Sequence, residues 1–130
     1  MKITKQYLKQ VIKEEMTKIY ENSSNQTHYN NIKSYINNLR NIILTKQKYN
    51  DPKNVNQKEK LFQLRQNMRP LLTDMIDSVE VLTQQPNLSD FQDELNFLLS
   101  IKDKNTNIIE TNDFLSKIIS AAAAVGVNLN

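Results

Sequence analysis

The chain has no cysteine and no tryptophan, one histidine, one glycine and three prolines in 130 residues. Each shortage excludes something. Without cysteine there are no disulfide staples, thiolate metal sites or cysteine nucleophiles. With His28 as the only imidazole, the usual zinc sets and Ser-His-Asp triads cannot be assembled. One glycine cannot furnish a phosphate-cradling loop. One glycine with three prolines is also too little for the tight turns that an all-β fold needs at short intervals. The residues present are 38% hydrophobic and 24% charged, a globular rather than a disordered composition at the length of one domain. The expected fold is therefore all-α, a single domain over residues 1–130 with about five helices, arranged as a helical bundle or an elongated array of hairpins.

The apolar residues supply the helices. Ile3, Tyr7, Leu8, Val11, Ile12, Met16, Ile19 and Tyr20 recur at spacings of three and four, which predicts a helix over about 3–21. The polar cluster Asn22-Ser23-Ser24-Asn25 reads as a break, with Asn25 or Thr27 as the cap of a second helix over about 27–49. Asn50-Asp51-Pro52 ends that one, because the residue before a proline is pushed out of the α region. A third helix is expected over about 57–85, kinked at Pro70, with Leu64, Met68, Leu72, Met75, Ile76 and Val79 on its buried face. Ser89 and Gln92 have capping-box spacing ahead of a fourth helix over about 89–102, whose first turn holds Asp90, Asp93 and Glu94. After a polar loop at 103–107, a last helix over about 111–125 closes at Gly126.

Charge is divided unevenly. Residues 1–69 hold 14 Lys and Arg against 5 Asp and Glu, a balance of +9, while residues 70–130 hold 3 against 9, a balance of −6. Such a chain either pairs its two halves internally or stacks head to tail with others. The 28 Asn and Gln residues lie among regular apolar positions and read as neutral helix surface rather than as an aggregating tract.

Candidate chemistry is sparse. Asp74, Asp77 and Glu80 run along one side of a helix, but carboxylate metal sites in bundles also want histidine nearby, so these read as solvated surface. His28 stands beside polar residues with no acid to pair with it and reads as a capping or exposed side chain. Tyrosines interleaved with Lys and Arg could stack on single-stranded nucleic acid. Tyr7, Tyr29 and Tyr35 fall on the apolar stripes, however, which favours packing. No acid, base and nucleophile converge, so the expected function is not enzymatic and requires no metal or cofactor. The longest apolar stretch, Ile118–Val127, is about half of what a membrane span needs, and the charged, amphipathic start is unlike a signal peptide. The Ala121–Ala124 run suits close packing either inside the bundle or against a neighbouring subunit, and the apolar C-terminal helix and tail are the expected contact with another subunit or protein, through Phe114, Ile118, Ala122, Val125, Val127 and Leu129.

The opening residues Met1-Lys2-Ile3-Thr4-Lys5-Gln6-Tyr7-Leu8-Lys9-Gln10-Val11-Ile12-Lys13-Glu14-Glu15 resemble an N-terminus found in proteins of large contractile-tailed phages, those of aquatic phages especially. The resemblance covers about 15 residues and implies a virion-associated protein. Some such leaders resemble capsid-targeting segments removed by a prohead protease after Ile/Leu-x-Glu, a pattern that Ile12-Lys13-Glu14 fits as a processing site. The resulting expectation is a structural or assembly component of a phage head, neck or tail, found in the virion or the host cytoplasm. It would act by helix-mediated contact with other virion subunits or with itself. The alternative is a phage-encoded regulatory or inhibitory protein that binds a host factor or nucleic acid through the basic first half.

Overall fold

The computed structural model describes the backbone of residues 5–48 and 56–129 and the side chains of residues 25–48 and 56–129. The order of elements is α1 (Lys5–Lys48), α2 (Gln57–Thr83), a 3-10 segment (Pro86–Phe91), α3 (Gln92–Leu99), a second 3-10 segment (Ser100–Asp103), α4 (Thr106–Ile109) and α5 (Asn112–Ala124). The fold is all-α, with no strand among the described residues.

The first two expected helices are one. α1 passes through Asn22–Asn25 without a break. That cluster contains neither glycine nor proline, and Asn and Ser inside a helix cost only some tenths of a kcal/mol each. Asn25 does not cap a new helix. It is 3% exposed and exchanges two side-chain hydrogen bonds with Gln85, Nδ2 to Oε1 at 2.8 Å and the reverse Nε2 to Oδ1 at 2.7 Å. The amide that sequence statistics assign to a cap is thus satisfied across the helix pair.

α2 likewise continues through Pro70, which is exposed, so the donor it lacks belongs to the solvated side. Its buried side is formed by Leu61, Met75, Ile76, Val79 and Leu82. Leu64, Met68 and Leu72 lie at the edge of that face, half covered, rather than at its centre. The expected capping box at Ser89 and Gln92 does not form. Residues 86–91 are 3-10, α3 starts only at Gln92, and the Gln92 amide instead donates to the Thr83 carbonyl at 3.1 Å, satisfying the open end of α2. Asp93 and Glu94 do occupy the first turn of α3.

The helices close into a ring. α1 packs along α2, α2 on α3, α3 on α5, and α5 back on α1. The α1–α2 pair is antiparallel, since Asn25 meets Gln85 while Asn38 meets Leu64. Ile32, Tyr35, Ile36 and Leu39 from α1, Met75, Val79 and Leu82 from α2, Leu95 and Leu98 from α3, and Ile118 and Ala122 from α5 fill the centre. α1 positions 25, 28, 32, 35, 39 and 42 alternate by three and four, the heptad seam of two helices wound together.

α5 is capped at both ends. The Thr111 hydroxyl accepts from the Phe114 amide at 3.3 Å. At the other end Val127 N donates to Ala122 O at 3.0 Å and Gly126 N to Ala123 O at 3.2 Å, the Schellman arrangement. It requires a left-handed residue, and Gly126 takes φ +108. The reversal folds Val127 back into the core, 5% exposed.

Candidate functional site

Three polar or open regions stand out from the core. The first is a buried carboxylate. Glu110, just after α4, has a side chain only 4% exposed and receives Arg65 Nη2 at 2.7 Å and Nε at 3.1 Å, with Lys46 Nζ at 3.2 Å. Burial opposes its charge. The hydrogen bonds and charges of Arg65 and Lys46 outweigh that and hold the carboxyl below its ordinary range. The same contact raises the Arg65 guanidinium. Burial, and secondarily the charge of Glu110, pushes the Tyr35 phenol upward. The Glu110 carboxylate is held by two cations of this chain, Arg65 and Lys46, so the cluster ties α1, α2 and the α4 region together and reads as a structural clamp.

The second is a polar seam within the α1–α2 pair. Asn31 Nδ2 donates to Ser78 Oγ at 2.8 Å, and His28 Nδ1 lies 3.0 Å from the same oxygen. Asn38 Nδ2 donates to the Leu64 carbonyl at 2.9 Å. Asn31, Asn38 and Thr45 follow one another every seven residues along one edge of the heptad seam. His28 is therefore neither a cap nor freely exposed; it joins a serine fifty positions away. Ser78 is 3% exposed, which removes it from contact with any substrate. The buried Asn and Ser fix the register of the two helices, a role that the even spread of Asn and Gln in the sequence concealed.

The third is an open groove of about 510 Å³ between α3 and α5. Phe97 forms its floor, backed by Phe114 with ring centroids 5.8 Å apart. Ser116, Ser120 and Ala124, four residues apart, form one wall, and Asp93 and Glu94 the opposite rim. Lys117 is the cation in its lining. The lining is mostly apolar, and small along the α5 side. The Ala121–Ala124 run divides here: Ala122 is in the core, Ala121 is buried beside the groove, and Ala123 and Ala124 are exposed.

The residues expected to contact another subunit are placed differently. Phe114, Ile118, Ala122, Val125 and Val127 are at most 5% exposed within this chain, and Leu129 packs partly against the same cluster. They are core here, because the Gly126 reversal brings the tail back onto the bundle, and the exposed surface of α5 is its opposite side. Asp74, Asp77 and Glu80 are all exposed on α2. No group of three or more potential metal ligands occurs among the described residues. No helix among them is long and apolar enough to cross a membrane. The side chains of Ile12, Lys13 and Glu14 lie outside the described residues, although the backbone there is helical.

No protein family, curated protein or solved structure matches this chain.

Proposed function

We propose that the protein is a non-enzymatic assembly component of a phage particle, working through helix-to-helix contact. The observation that carries this reading is the mismatch between its two longest helices. α1 has 44 residues and α2 has 27, about 66 Å against about 40 Å at 1.5 Å per residue. Asn25 meets Gln85, just beyond the end of α2, and the helix backbone of α1 comprises a further 20 residues, 5–24, about 30 Å, on the N-terminal side of that contact. That extension carries Tyr7, Leu8, Val11, Ile12, Met16 and Ile19 at helical spacing, together with Lys5, Lys9 and Lys13. A helix of this pattern gains stability by laying its apolar side on another surface. The resemblance of residues 1–15 to leaders of virion proteins supplies the setting.

The test is mass spectrometry of purified particles from the source phage. Recovery of the chain in a fixed ratio to the major structural proteins is expected. Its absence from particles, together with salt-sensitive binding to nucleic acid or capture of one host protein, would instead establish the regulatory alternative.

A further inference from the structure

We propose that the groove between α3 and α5 receives the basic N-terminal part of α1 from a second copy of this chain, so that copies join head to tail. The inference deepens the assembly reading and rests on it. A groove bounded by two helices suits a third, and the side chains at Ser116, Ser120 and Ala124 are small enough to let a helix backbone approach closely. Its floor is the face of Phe97 left uncovered by the core. Asp93 and Glu94 on its rim are the acidic first turn of α3, with Asp90 one turn earlier.

The occupant is identified by charge and pattern. In the sequence of α1, Lys5, Lys9 and Lys13 recur every four residues among the apolar positions Leu8, Ile12 and Met16, a pattern of cations with apolar residues at helical spacing. That is the complement of an apolar floor with a carboxylate rim. The same chain cannot fill its own groove, because α1 is unbroken from Lys5 to Lys48 and lies across the ring from α3. A second copy has no such restriction. The contact is heterologous, one end of each copy meeting the other end of the next, and it sets part of the basic half of one copy against part of the acidic half of another.

The experiment uses the full chain and measures mass by light scattering over a range of concentrations. The parent should self-associate, and salt should weaken it. The charge reversals K5E/K9E/K13E and D93K/E94K should each raise the concentration needed for association by about tenfold or more. Mixed one to one, these two variants should regain association as alternating copies, because each end of one is opposite in charge to the other end of its neighbour. S120W, at an exposed position, should abolish association while leaving the circular dichroism spectrum and melting temperature unchanged. A parent that stays monomeric throughout overturns the proposal, as does a mixture that does not regain association. If S120W associates like the parent, the groove is not the seat. None of these results bears on whether the chain is present in particles, so the two readings fail separately.

Discussion

Arg65 and Glu110, forty-five positions apart, form a two-pronged ion pair in which the carboxylate is almost wholly enclosed and the guanidinium is nearly half exposed. The pair fastens the α4 region to α2, with Lys46 adding a contact from α1. Replacing Arg65 by Ala leaves an enclosed carboxylate with one partner instead of two. The expected loss is about 1.5–3 kcal/mol, the range for hydrogen bonds to charged groups, and K46A should cost less because its single contact is longer. Urea unfolding of the two variants checks the order. Equal losses would mean that the paired geometry adds nothing.

Glu110 also sets an acid limit. Its folded carboxyl titrates below the ordinary carboxylate range, so its contribution is fully present above about pH 4.3, the usual value for Glu. It is lost as pH falls through the lower folded value, because the unfolded state takes up the proton first. Stability should therefore fall as pH drops below about 4.3, and E110Q should be less stable than the parent at pH 7 while showing a shallower drop. Parallel pH profiles of the two would exclude Glu110 as a source of the acid sensitivity.

The Asn25–Gln85 amide pair should behave as a coupled unit. N25A and Q85A should each cost about 1–3 kcal/mol by leaving a part-buried amide without its partner. The double variant should lose less than the two losses added together. A double-mutant cycle with no coupling would show the two amides acting independently.

Gly126 should resist substitution. Any side chain there meets the cost of a left-handed backbone, about 1–2 kcal/mol, and a Cβ would sit 3.3 Å from the Tyr29 hydroxyl. G126A should lower stability by at least that much. If G126A melts with the parent, the turn has a second way to close.

Two alanines only two positions apart, on opposite sides of α5, should separate folding from contact. A122E places a charge at a fully enclosed site and should unfold the protein or reduce it to a loosely packed state. A124E sits on the exposed wall of the groove and should change stability by no more than about 0.5 kcal/mol. Near-ultraviolet circular dichroism with thermal melting distinguishes them, and similar melting of both would contradict the placement of α5.

Much of this fold is legible in the sequence, and the places where it is not have physical causes. The three-and-four spacing of Ile32, Tyr35, Ile36 and Leu39, the cap at Thr111 and the stop at Gly126 are local signals, and the structure follows them. The fusion of two expected helices into α1 is not local. It depends on Asn25 finding Gln85, sixty positions away, and no window of sequence contains both. The same holds for His28 and Ser78, and for the capping box lost when Gln92 satisfied the end of α2. The contact set expected at the C-terminus is buried within the chain for a related reason: apolar residues after a glycine read as an exposed tail, whereas the Schellman turn carries Val127 back inside. The groove is hidden because its wall consists of serines and alanines, which carry little hydropathy signal.

The closed ring has a consequence for the order of events during synthesis. Of these helices α5 is the last to leave the ribosome, yet it is the wall between α3 and α1. Until it emerges, α1, α2 and α3 present Ile32, Leu95 and their neighbours to whatever is nearby, and a nascent chain in that state is open to capture or misassociation. Truncation ahead of Val127 during translation would remove part of the seal on that core. A chain cut short there cannot finish the ring, so the core itself inspects the product for such truncation.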